Sequence, residues 1–164
     1  MASDVLNAKE AAIATVSSYA ARGDMNGLKQ ALNKGLDDGV TVNEFKEILI
    51  QVYAYCGFPR SLNALATLMK VVEERENTDE LGKEPSVKPE GNALTYGTVN
   101  QTKLIGAKVK DKLFEFTPAI DEYLKAHLFG DIFARDNVDW KTRELATIAM
   151  LASRDGVGSQ LATH

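Results

Sequence analysis

Four polar side chains share one face of a predicted helix, and their types suit acid–base chemistry. They are Glu44, Glu47, Gln51 and Tyr55. Their spacings of three, four and four residues make them neighbours on an α-helix. This stripe either faces solvent, as on an amphipathic surface helix, or lines a pocket. In a pocket, burial would raise the pKa of the Glu47 carboxyl and suit it to proton transfer.

Glu144 and His164 form a second candidate pair for acid–base chemistry. They are twenty residues apart, a separation that a helix, a turn and a second helix can close. A carboxylate beside an imidazole fixes its tautomer and raises its basicity. The alternative is a histidine exposed to solvent. Arg135 and Arg143 could neutralise an anionic substrate, although most arginines simply lie on protein surfaces.

Cys56 is the only cysteine and lies at the end of the helix that carries the polar stripe. A buried cysteine commonly packs as a small apolar side chain. A reactive thiol needs a lowered pKa, which Arg60 or the start of the next helix could provide. Thiol–disulfide chemistry also needs a second thiol, which would have to come from outside this chain.

Apolar residues recur at helical spacing over most of the chain, and alternating strand patterns are scarce, so we predict an all-α fold. A capping box at Thr41 and Glu44 and prolines at positions 59 and 118 mark helix starts. Helices are predicted over residues 4–22, 25–35, 42–55, 59–75, 103–113, 118–128 and 139–153, with a short one at the end.

Two stretches resemble each other and indicate a duplicated helical unit. Each has a glutamate (Glu10 or Glu144), an alanine-rich apolar helix, a glycine turn and another helix. We therefore predict a first repeat over residues 1–76, a glycine- and proline-punctuated linker over 77–102, and a second repeat over 103–164. By this alignment the second repeat lacks its last helices. Either a neighbouring subunit completes the second site or that copy is degenerate.

Composition favours a globular protein of the cytosol. Apolar residues make up 45% of the 164, and the net charge is −4 with a pI near 5.2. Because nucleic-acid binding needs a concentrated basic face, we expect no nucleic-acid partner. The start of the chain lacks the pattern of a signal peptide, and no apolar run reaches the roughly 20 residues that span a bilayer.

Three segments together resemble the carboxymuconolactone decarboxylase family. They are Gly39–Glu47, Tyr53–Ala64, and Phe129–Arg135 continued through Arg143–Leu145 to His164. The family shares its all-helical fold with the AhpD-like alkylhydroperoxidases. The resemblance implies that fold, a ring-like homo-oligomer and a small-molecule substrate. It implies neither a cofactor nor a metal.

For the decarboxylases, the resemblance implies loss of CO₂ from a carboxylated lactone. The enzyme must bind the carboxylate, stabilise the developing enolate and return a proton. Arg135 or Arg143 could bind the carboxylate. His164, with Glu144 or Glu47, could return the proton.

We expect Tyr55 and Arg60 to contact the substrate as well.

The alkylhydroperoxidases instead place a Cys-x-x-Cys pair between a glutamate and a histidine. Glu144 and His164 match the outer positions with one extra residue between them, but the segment 156–159 holds no thiol. Two alternatives therefore stay open. One is a peroxidase or reductase that uses Cys56 with an external thiol, and the other is a non-catalytic binding or assembly protein.

Overall fold

A computed structural model describes residues 5–86 and 89–164, and every regular element in these ranges is a helix. The all-α prediction is confirmed for this part of the chain. The first residue of the predicted helix 4–22 lies outside it. Two compact units are present, which we call the first unit (residues up to 84, with 137–164) and the second unit (residues 85–136).

The helices are numbered in chain order. The first unit contains α1 Ala8–Arg22, α2 Met25–Asp37, α3 Val42–Cys56, α4 Phe58–Glu74, α8 Trp140–Ala152 and α9 Gly158–Thr163. The second unit contains α5 Ala93–Ile105, α6 Lys112–Phe116, α7 Pro118–Tyr123 and a π-helix, Leu124–Ile132. None of the helices in the described ranges has both the length and the apolar character needed to cross a membrane.

Local capping chemistry fixes where several helices begin. The Thr41 hydroxyl accepts a hydrogen bond from the Glu44 backbone N–H at 3.2 Å, and the Glu44 carboxylate accepts from the Thr41 N–H at 2.9 Å. This is the capping box predicted for α3. Asp139 caps α8 by accepting from the Thr142 N–H at 2.7 Å. Pro59 lies in the first turn of α4, where its missing N–H costs nothing.

The core of the first unit is assembled from both ends of the chain. Helix α3 lies at its centre, with Phe45 and Val52 fully buried. Val138, Ala146 and Met150 join the same apolar cluster from the C-terminal segment. The compact units therefore do not coincide with the predicted repeats, because the cluster of α1–α4 includes side chains that follow residue 136. The duplication itself remains a prediction about the sequence.

The helices of the second unit differ from the sequence prediction in three respects. Helix α5 begins inside the predicted linker, where the Asn92 side chain caps it by accepting from the Thr95 N–H at 2.9 Å. The predicted helix 103–113 does not exist as one element. Gly106 adopts a left-handed conformation, with φ at 81°, and ends α5 there. The predicted helix 118–128 is split between α7 and the π-helix.

Two glycines allow α5 and the π-helix to pack closely. A Cβ on Gly97 would lie 1.8 Å from the Lys125 carbonyl oxygen, and one on Gly130 would lie 2.5 Å from the Ala93 carbonyl oxygen. Asn100 adds a hydrogen bond to the Phe129 carbonyl oxygen at 2.8 Å. In the sequence, Gly97 suggests a helix break. In the structure it lies within α5, where the absence of a side chain allows the π-helix to approach.

We expect Gly97→Ala to destabilise the second unit by about 2 kcal/mol or more. The added methyl group clashes with backbone atoms, which cannot rotate away as a flexible side chain could. Hydrogen-exchange mass spectrometry should show faster exchange over α5 and the π-helix, with α1–α4 less affected. Gly158→Ala is the matched control, since nothing lies within 4 Å of its added Cβ. Unchanged exchange in the Gly97 variant would contradict this packing account.

Candidate functional site

The polar stripe of α3 packs against α8 rather than facing solvent. Glu47 is 3% exposed and Gln51 is fully buried. Glu44 is part of the capping box at the start of α3. The solvent-facing interpretation is therefore wrong for the middle of the stripe. Helix α3 is buried on its polar face as well as on its apolar face.

Arg143 of α8 is the centre of a buried hydrogen-bond network. Its guanidinium donates to the Glu47 carboxylate at 3.1 Å and to the Gln51 side-chain oxygen at 3.2 Å. The Gln51 amide donates in return to the Arg143 carbonyl oxygen at 3.0 Å and to the Thr147 hydroxyl at 2.8 Å. Buried charges persist in proteins when they are paired and hydrogen-bonded in this way. We call these four residues the Arg143 network, and they set the register of α8 against α3.

Glu144 and His164 are brought together, as the sequence predicted they could be. The His164 Nδ1 atom lies 2.7 Å from the Glu144 Oε2 atom. The two side chains are only 16% and 19% exposed. If the imidazole is neutral, a hydrogen on Nδ1 donates to the carboxylate and leaves Nε2 as a base. The Glu144 Oε1 atom is buried and has no hydrogen-bond partner in the described structure.

Tyr55 lies beside this pair. Its ring meets the His164 ring edge-on, with the centroids 6.1 Å apart and the planes at 81°. Burial raises the pKa of the Tyr55 hydroxyl, and the nearby Glu144 carboxylate raises it further; Thr147 and Arg143 act in the opposite direction. The hydroxyl is buried without a hydrogen bond of normal geometry in the described part of the chain. The phenol therefore stays protonated near neutral pH. We call Tyr55, Glu144 and His164 the acid–base cluster.

Cys56 belongs to a different group of side chains. Burial raises the pKa of its thiol, which Arg154 and, more weakly, Arg60 lower in part. Arg60 is exposed and also donates to the Arg22 carbonyl oxygen at 2.7 Å. The thiol is therefore mostly protonated near neutrality, and this does not favour a nucleophilic role.

We expect Cys56 to react with iodoacetamide more slowly at neutral pH than a free thiol such as glutathione does. Its rate should rise with an apparent pKa above the roughly 8.5 of an unperturbed cysteine. Arg154→Met should raise that pKa further, because it removes the largest opposing contribution. The measurement is the alkylation rate as a function of pH, followed by mass spectrometry. A pKa clearly below that of glutathione would contradict the expected protonation state.

Arg135 lies in the second unit, in the turn that follows the π-helix, and its backbone N–H donates to the Ile132 carbonyl oxygen at 3.1 Å. It is partly buried. Its predicted contact with substrate remains a prediction. The predicted contacts of Arg143 and Arg60 with substrate also remain predictions.

The sequence interpretation missed Thr147 and Arg154. Thr147 is one helical turn beyond Arg143, so the same spacing argument that linked Glu47 to Gln51 could have found it. Arg154 follows the end of α8, where no spacing rule applies. It reaches Cys56 only because α3 and α8 pack against each other in the folded chain.

A comparison with protein-family models bears on these residues. Residues 1–69 match the model of the carboxymuconolactone decarboxylase family. Over these residues the chain is similar to that family. The predicted resemblance is confirmed over α1–α3 and most of α4, and the all-α architecture agrees with the AhpD-like fold. No curated protein matches the chain.

The segment that matches the family model includes only part of the site. It contains Glu47, Tyr55, Cys56 and Arg60, whereas α8 and α9 lie beyond residue 69. The acid–base cluster is thus completed by residues outside the matched segment.

Proposed function

We propose that this protein is a cofactor-independent carboxy-lyase that removes CO₂ from a small carboxylated lactone. The observation that carries the proposal is the 2.7 Å pairing of Glu144 with His164 beside a buried Tyr55 hydroxyl that makes no hydrogen bond of normal geometry within the described structure. The family match of residues 1–69 supports the same reaction class.

The chemistry requires three functions. The bond between the substrate carbon and its carboxylate breaks, CO₂ leaves, and the electron pair delocalises onto the lactone carbonyl as an enolate. A preorganised donor stabilises that developing negative charge. Tyr55 suits this step because its phenol stays protonated. Glu144 stabilises the imidazolium form of His164, which delivers its proton to the carbon. Solvent then reprotonates the ring.

Arg143 is better suited to position the site than to bind substrate, since its guanidinium already pairs with Glu47. Arg60 and Arg154, near Cys56, are the candidates for the substrate carboxylate in the first unit. The thiol-peroxidase alternative lacks a comparable supporting geometry, because burial raises the pKa of the Cys56 thiol.

The proposal extends to a homo-oligomer in the cytosol. Helix α4 leaves Phe58, Leu62 and Met69 more than half exposed, and exposed apolar patches commonly mark contacts between protein chains. The substrate is a small molecule, and no bound cofactor is required by the three steps above.

The test is ultraviolet-monitored turnover of 4-carboxymuconolactone by the native chain, with CO₂ release measured in parallel. We expect saturable turnover without added cofactor, by material whose folding and oligomeric state are verified by circular dichroism and light scattering. A folded chain that leaves the lactone unchanged would contradict the proposal. Peroxide consumption that depends on Cys56 and an external thiol would support the peroxidase alternative instead.

A further inference from the structure

The first unit has an open apolar groove between α3 and α4. It encloses about 600 Å³ and is lined on α3 by Val42 and Ile50 and on α4 by Leu65, Met69 and Val72. Met69 is more than half exposed. An exposed apolar surface of this kind commonly marks a contact with another molecule. We call it the α3–α4 groove.

The second unit exposes apolar side chains on α6 and α7. Neither of these short helices has a buried residue. Leu113, Phe116, Ile120 and Tyr123 are 57%, 87%, 47% and 64% exposed. Four large apolar residues on two consecutive short helices form a surface that another molecule would stabilise by covering it. We call these four residues the α6–α7 surface.

The rim of the α3–α4 groove is acidic. Residues 73–80, at the end of α4, contain five acidic residues and a single arginine. Of these acids, Glu73, Glu76 and Glu80 are exposed and form no ion pair with the described residues. Lys46 of α3 also lines the groove and reduces the negative charge without reversing it. The groove therefore favours a partner that is apolar and flanked by cations.

The α6–α7 surface is preceded by a basic segment. Residues 103–112 contain four lysines and one aspartate. Lys108, Lys110 and Lys112 are exposed, and none of them pairs with a carboxylate in the described part of the chain. The aspartate, Asp111, is engaged in capping α6. The basic charge is thus concentrated at the end of the surface where α6 begins.

The opposite charges decide which of these surfaces can pair. Two grooves in contact would bring two acidic rims together, and two α6–α7 surfaces would bring two runs of lysines together. Like charges facing each other oppose association, whereas complementary charges favour it. Glu115 weakens the positive charge of α6, but three lysines precede it. The groove of one copy is therefore better matched to the α6–α7 surface of another copy than to a second groove.

We infer that the α6–α7 surface of one copy docks in the α3–α4 groove of a second copy. Phe116, the most exposed of the four apolar residues, enters the groove. The lysines that precede α6 and begin it lie beside the glutamates of the rim. Such a contact is heterologous, because each copy uses one surface to bind and a different one to be bound. The inference rests on the homo-oligomer of the proposed function and specifies its contact.

The test measures self-association of the full chain by analytical ultracentrifugation without substrate. Two charge-reversed variants are compared with the native chain. The lysine variant carries Lys108→Glu, Lys110→Glu and Lys112→Glu, and the glutamate variant carries Glu73→Lys, Glu76→Lys and Glu80→Lys. Each should weaken association at least about tenfold, because like charges then face each other across the contact. Phe116→Ser should weaken it as well, through loss of the apolar contact.

An equimolar mixture of the lysine variant and the glutamate variant should associate again, since every contact between the two kinds of chain joins opposite charges. A chain with all six reversals should also associate. The control reverses three exposed lysines outside both surfaces and changes the net charge equally: Lys9→Glu, Lys34→Glu and Lys141→Glu. It should leave association within about threefold of the native chain. Circular dichroism checks that each variant is folded, as expected for changes at exposed positions.

A monomeric native chain would overturn the inference. So would a mixture that fails to associate, variants that associate as tightly as the native chain, or a control that is weakened as much as the lysine variant. Because no substrate is present, these outcomes are separate from lactone turnover. A chain that associates in this way but leaves the lactone unchanged would contradict the lyase proposal and support the docking contact.

Discussion

Arg143→Met is expected to lower the free energy of unfolding by about 3–5 kcal/mol, the usual cost of removing one partner from a buried ion pair. Arg143 is fully buried, and Glu47 is 3% exposed. Without the guanidinium, the Glu47 carboxylate still pays the desolvation penalty of burial but has lost its charged partner. Gln51 also loses a hydrogen bond. Urea denaturation followed by circular dichroism measures the change.

Two further variants separate pairing from simple loss of packing. Removing both charges, as Arg143→Met with Glu47→Leu, should recover part of the lost stability, because no unpaired buried charge remains. Lys29→Met breaks the exposed pair of Lys29 with Glu74, whose side chains are 48% and 56% exposed. That control should cost less than about 1 kcal/mol. A similarly small cost for Arg143→Met would show that the network does not hold α8 against α3.

Glu144→Gln and His164→Asn should each lower kcat/KM for the lactone by about a hundredfold to ten-thousandfold, the range lost when a general acid–base group is removed. Glutamine keeps the size of the side chain but cannot balance an imidazolium. Asparagine keeps a polar group at position 164 but cannot return a proton at neutral pH. The measurement is the ultraviolet turnover assay used for the native chain.

The two residues should act as a unit, so the double variant is expected to be no slower than the slower single variant. His127→Asn is the matched control, because it alters the other of the two histidines. His127 pairs with Asp131 in the second unit and has a side chain that is 52% exposed. Additive losses in the double variant would argue against a coupled pair. Full activity in either single variant would remove the acid–base cluster from the reaction.

Helix starts were predictable from the sequence because capping acts within a single turn. Thr41 and Glu44 satisfy each other's backbone N–H groups whatever the rest of the chain does. Asp139 and Pro118 act equally locally. Helix α5 was missed for the opposite reason. Gly97 lowers the intrinsic helix propensity of this segment. Close packing against the π-helix compensates for that loss.

Sequence by itself determined the all-helical class, the similarity of residues 1–69 to a known family, and the possibility that Glu144 meets His164, since these depend on residue types and short spacings. Only the tertiary structure decided that Glu47 pairs with Arg143. Those residues are 96 positions apart, and their contact exists because the apolar faces of α1, α3 and α8 bury one another. No periodicity within one helix encodes the partner across an interface, since that partner is chosen by the packing of the whole core.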